Sequence, residues 1–130
     1  MKVLVVDDDP GVLAFLEHVL QAGGYLGASA SSPKAALEAV DDPAIRMIIT
    51  DLCMPGEPSG LEFVRQLHAA RPDCPIVVIT GYPNPETLEE CRRIGVNDFL
   101  TKPFEMGFVR DVLQRLAKEQ EGVKCRGTGT

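Results

Sequence analysis

No apolar run in this chain approaches the roughly 20 residues needed to cross a bilayer, so a membrane-spanning helix is excluded. The start, MKVLVVDDDP, turns acidic too early for a secretory leader and has no small-residue cleavage site. Basic residues are in deficit: the formal net charge is −6. The basic patch that usually marks a nucleic-acid surface is missing, and direct nucleic-acid binding is not expected. Cysteine pairing is missing too. Cys53, Cys74, Cys91 and Cys125 are widely scattered without a CxxC pair, which predicts reduced thiols in a cytoplasmic protein rather than disulfides or a zinc site. The turn after the first apolar run also lacks the glycines that let backbone amides cradle a bare phosphate. Asp7-Asp8-Asp9 stands there instead.

What is present is a strict alternation. Val3–Val6, Met47–Ile49 and Ile76–Ile79 are apolar on consecutive residues, as strands buried on both faces should be. Leu26–Ala30 and Val96–Thr101 are weaker versions that suit flanking strands. Helical spacing separates them. Val12, Leu13, Leu16, Val19 and Leu20 mark the first helix, opened by Asp9 and Pro10 and closed by Gly23-Gly24. Ser32 and Pro33 open the second, which carries Ala36, Leu37 and Val40. Leu61, Val64, Leu67 and His68 mark the third, which stops before Pro72. Thr87, Leu88, Cys91 and Ile94 mark the fourth, with Gly95 as its C-cap. Phe108, Val109, Val112, Leu113 and Leu116 mark the fifth. Five strand–helix units in this order predict an α/β fold, a parallel sheet with helices on both faces. Residues 121–130 are rich in Gly and Thr and are expected to form a flexible tail or linker after a domain spanning 1–120.

Four of the apolar runs stop at residues that can do chemistry: Asp7 and Asp8, Asp51, Thr80, and Lys102. Parallel strands place those ends along one edge of the sheet, in the crevice where open α/β sheets take ligands. Like carboxylates crowded there repel. Two unit charges 4 Å apart interact by about 4 kcal/mol at an effective dielectric constant of 20. A hard divalent cation resolves the conflict, and Mg²⁺ typically takes one or two carboxylates, several waters and a phosphate oxygen.

In order and spacing, VVDDD, DLCMPGEPSG, VIT-G and FLTKPF resemble the receiver domain of two-component response regulators. The resemblance covers about Lys2 to Lys118 and implies a flavodoxin-like doubly wound sheet in order 2-1-3-4-5. It implies Asp51 as acceptor of a phosphoryl group from a sensor histidine kinase or a phosphotransfer protein. It further implies Mg²⁺ held by Asp7, Asp8, Asp51 and the backbone carbonyl of Cys53, a hydrogen bond from Thr80 to the phosphoryl group, and an ion pair from Lys102. Lys102-Pro103 would be cis, and Phe99 would repack as Thr80 moves inward. The surface of the fourth helix, fifth strand and fifth helix would then pass the signal to an output domain or downstream protein. Such a domain is a signalling switch that promotes only its own phosphorylation and dephosphorylation, not an enzyme with an external substrate. A homodimer through the fourth helix is allowed, but no residue points to it. One departure is the loop Met54–Gly60, a residue longer than the family pattern and stiffened by Pro55 and Pro58. The alternative is a haloacid-dehalogenase-like phosphatase, with Asp7-x-Asp9 as nucleophile and acid. It leaves Asp51 without a purpose.

Overall fold

The computed structural model describes residues 1–82 and 84–129, with side chains described as far as Glu119. The elements are β1 (Lys2–Val6), α1 (Pro10–Ala22), β2 (Leu26–Ala30), α2 (Pro33–Ala39), β3 (Ile45–Asp51), α3 (Gly60–Ala70), β4 (Ile76–Thr80), α4 (Pro85–Ile94), β5 (Asp98–Thr101) and α5 (Met106–Gly129). The five strands pair in parallel in the order β2-β1-β3-β4-β5, the doubly wound flavodoxin-like topology expected. The tail expected over residues 121–130 falls outside the residues whose side chains are described.

Alternation along the strands sorts the core into two layers. Val3, Val5, Met47, Ile49, Val77, Ile79 and Leu100 face α1 and α5, meeting Leu16, Val19, Leu20, Val109, Leu113 and Leu116. Leu4, Val6, Ile48, Ile76 and Val78 face the other side and meet Ala36, Phe63, Val64, Leu67 and Cys91 from α2, α3 and α4. Burying each large aliphatic side chain contributes about 1.5–3 kcal/mol. Because strands β1, β3 and β4 are covered on both faces, their sequences read as unbroken apolar runs rather than alternating ones.

The helix starts follow from their caps. The Asp9 side chain accepts from Gly11 N–H at 2.8 Å, and the Ser32 hydroxyl accepts from Ala35 N–H at 3.1 Å, each with proline in the first turn. Asn84 caps α4 through Glu86 N–H at 2.9 Å. At the far end of α4, Gly95 has φ 122°, and a Cβ there would stand 2.8 Å from the His68 ring, so only glycine fits. Two expectations need correction. The fifth strand begins at Asp98; just before it, Asn97 grips Ile76 twice, its amide donating to Ile76 O at 2.9 Å and its side-chain oxygen accepting from Ile76 N–H at 3.0 Å. Phe108 is not part of the apolar face of α5 but 63% exposed.

Candidate functional site

Parity decides which strand-end side chains meet. Asp7, Asp51 and Lys102 continue the alternation of Val5, Ile49 and Leu100, so all three lie toward the α1–α5 face. Lys102 Nζ stands 3.2 Å from Asp7 Oδ2 and 3.3 Å from Asp51 Oδ2. Register supplies the rest. Val6 is level with Thr50, so Asp7 and Asp51 follow side by side, whereas Asp51 is level with Ile79 and Thr80 with Thr101, which sets Thr80 and then Lys102 each one position further along. Asp7, Asp8 and Asp51 bring carboxylate oxygens within 4.8 Å of one another. Asp7 is fully buried, Asp51 is 6% exposed and Thr80 is 6% exposed, whereas Asp8 faces solvent.

Local backbone geometry orients these groups. Asp9 N–H donates to Asp7 Oδ1 at 2.9 Å, and Cys53 N–H donates to Asp51 Oδ1 at 3.1 Å. Tyr82 N–H donates to Thr80 Oγ1 at 3.2 Å. In each case the chain leaves its strand and folds back so that the amide two residues on meets the side chain. The Thr80 hydroxyl therefore accepts one bond and keeps its own proton to donate. Lys102 is anchored by its own amide, which donates to Thr80 O at 2.9 Å. Lys102-Pro103 is cis, as the resemblance implied, and Glu57-Pro58 in the longer loop is cis as well. Among the described residues beyond its two chain neighbours, nothing lies within 4 Å of where a Gly81 Cβ would sit, which leaves the approach past Thr80 open.

Electrostatics single out Asp7. Burial pushes its carboxyl above the ordinary range, and Asp51 adds to the rise, against the pull of Asp9 N–H and Lys102. For Lys102, burial acts downward, but the carboxylates of Asp51 and Asp7 outweigh it and hold the ammonium above its usual value. Asp7 Oδ2 is near Lys102 but out of line for a hydrogen bond, and this buried oxygen has no hydrogen-bond partner among the described residues. An orphaned buried carboxylate oxygen beside two further carboxylates fits a hard divalent cation such as Mg²⁺. Cys53 keeps its exposed thiol outside the carboxylate cluster, so any part it takes in holding a metal falls to its backbone.

Every strand-end residue singled out in the sequence except Thr80 meets another of them directly; Thr80 joins through the Lys102 backbone. Nothing in the spacing pointed to Arg92, whose guanidinium lies over the Phe99 ring at 5.4 Å, because that contact depends on how α4 lies across β5. Asp9, the second acid of the phosphatase alternative, has its carboxylate engaged in capping α1.

The family model described as response regulator receiver domain matches residues 3–117. The transcriptional regulatory protein ZraR of Escherichia coli is 31% identical over 115 residues, covering 88% of this chain and 26% of that protein. The response regulator protein PilR of Pseudomonas aeruginosa is 32% identical over 112 residues, covering 86% of this chain and 25% of that protein. The chain thus spans about a quarter of the length of these curated relatives. Among solved structures, the chemotaxis response regulator CheY4 of Vibrio cholerae superposes with a TM-score of 0.79 at 32% identity, covering 88% of this chain and 96% of that one. NtrX of Brucella abortus superposes with a TM-score of 0.91 at 27% identity, covering 99% of this chain and 29% of that one.

Proposed function

Because this chain belongs to the response regulator receiver domain family, we propose that it is a signalling switch set by transfer of a phosphoryl group from a histidine kinase or phosphotransfer protein to Asp51. The observation that carries this reading is the Lys102 ammonium, 3.3 Å from Asp51 and 3.2 Å from Asp7 beneath an open approach. A carboxylate oxygen of Asp51 attacks phosphorus, the O–P bond forms and the N–P bond of the donor phosphohistidine breaks. The bonding pair stays on the departing imidazole nitrogen. Asp51 is the nucleophile, and its attack needs the crowded negative charge to be neutralised.

Lys102 supplies part of that neutralisation from a position set by its own backbone bond to Thr80. Asp7, Asp8 and Asp51, with the Cys53 carbonyl, are the residues that would hold Mg²⁺, which when bound adds positive charge beside the transferring oxygens. Thr80 donates its free hydroxyl proton to the incoming phosphoryl group. Its repositioning, followed by Phe99, biases the surface formed by α4, β5 and α5, through which an output domain or downstream protein reads the state. The domain acts in the cytoplasm and turns over no external substrate. No helix among the described residues is long and apolar enough to cross a membrane.

The deciding experiment is intact mass after incubation with acetyl phosphate and Mg²⁺, with and without chelator. The wild type should gain one phosphoryl group only with Mg²⁺, and Asp51→Ala should gain none. Label retained by Asp51→Ala would place the acceptor elsewhere and end this reading.

A further inference from the structure

α4 is weakly held. It buries a single side chain, Cys91, whereas α1 buries Leu16, Val19 and Leu20 and α3 buries Phe63, Val64 and Leu67. A contact of modest strength therefore weighs more on α4 than on those helices. One such contact reaches β5: the Arg92 guanidinium lies 5.4 Å from the centroid of the half-buried Phe99 ring. Phe99 is level with Val78 on β4, and the next same-face pair along the two strands is Thr101 with Thr80. The ring thus occupies the step immediately below the Thr80 side chain, on the same face of the sheet. Arg92 is shared, since Glu89 Oε2 lies 3.6 Å from its guanidinium and helps to hold it over the ring.

We propose that Arg92 is a positioning residue for the phosphorylation reaction: through Phe99 it pins α4 to β5 in the unphosphorylated chain and so restrains uptake at Asp51. The inference rests on the phosphorylation reading above. A cation over an aromatic face is attracted by the ring quadrupole, and the attraction is lost once the ring leaves that place. A contact made in one state alone stabilises that state alone. Phe99 cannot both stay beneath Arg92 and follow Thr80 toward the strand ends. The restraint therefore acts on the Thr80 side of the site without touching the carboxylates.

The test combines Arg92→Ala, Arg92→Lys, Phe99→Leu and the double variant Arg92→Ala/Phe99→Leu, each checked for folding by circular dichroism. The initial rate of phosphoryl gain from acetyl phosphate with Mg²⁺ is followed by intact mass, and amide exchange over 86–94 by mass spectrometry. Arg92→Ala should phosphorylate about two- to fivefold faster than wild type, the range set by an exposed cation–π contact. Its α4 amides should exchange faster. Arg92→Lys should stay near wild type, and removing Arg92 should add nothing once Phe99 is leucine. An unchanged rate in Arg92→Ala, or the same acceleration in the Phe99→Leu background, overturns the inference and leaves the phosphorylation reading intact. A wild type that takes up no phosphoryl group overturns both.

Discussion

Burial holds the Asp7 carboxyl protonated to higher pH than an ordinary aspartate, and the nearby Asp51 charge works in the same direction. A carboxyl raised in the folded state binds its proton more tightly there than in the unfolded chain. Its contribution to stability is therefore present below the ordinary value of 3.8 and lost as pH rises through the raised one. At neutral pH the ionised, fully buried Asp7 works against the fold despite the Lys102 ammonium 3.2 Å away. Asp7→Asn should accordingly melt a few degrees higher than wild type at pH 7 in chelator, and the gain should shrink toward pH 4. Scanning calorimetry across that range checks both the sign and the slope.

Cys53 and Tyr82 are the exposed residues two positions beyond Asp51 and Thr80, and their amides already touch those side chains. Exchanging either side chain should change the lifetime of the acyl phosphate severalfold without preventing its formation. Decay of the phosphorylated mass after removing donor measures this; equal lifetimes would show that the two side chains stand clear of the attacking water. The acids, Thr80 and Lys102 were legible because each halts an apolar run, a pattern that survives without coordinates. Arg92, and the fit of Gly95 against His68, were not, since both depend on packing between separate elements.

At the scale of elements, the end of the sheet opposite the site is closed by Arg71, just after α3. Its guanidinium donates to Val40 O at 3.0 Å, Asp42 O at 2.9 Å and Ile45 O at 2.7 Å, and pairs with Asp73 at 3.1 Å. This fork fastens the α2–β3 connection to the α3–β4 connection, a task that lysine's point charge does not replace. At the other end of α3, the fully buried Phe63 fills the layer between that helix and the sheet. Phe63→Ala should cost about 3–5 kcal/mol. Arg71→Lys should cost roughly 1–3 kcal/mol, the range for hydrogen bonds to a charged group. Urea denaturation gives both values, and phosphoryl uptake by folded Arg71→Lys should stay normal because Arg71 binds the start of β3, away from Asp51. Strand and helix order were readable from periodicity and caps. The start of β5 was not, because Val96 is apolar and buried yet precedes the strand, and the polar Asn97 beside it is bound to Ile76 through both its amide and its side chain.

For the whole molecule, a divalent cation held as proposed by Asp7, Asp8 and Asp51 would bind the folded arrangement and find no comparable site in the unfolded chain. Mg²⁺ at a hundredfold excess over its dissociation constant should therefore add about 2.7 kcal/mol to the unfolding free energy. Asp51→Asn should lose most of that increment, and parallel urea titrations with Mg²⁺ or chelator would show it. Retention of the full increment would mean that the cation stabilises the molecule elsewhere.

The spacing of the site along the chain has a consequence for its birth on the ribosome. The three carboxylates belong to the ends of β1 and β3, which are neighbours in the sheet, while the ammonium that balances them follows β5, 51 residues after Asp51. A nascent chain that has paired β1 with β3 already carries the full acidic cluster and none of its built-in counter-charge. Until Lys102 emerges, that half-made domain must draw its compensation from the surrounding electrolyte.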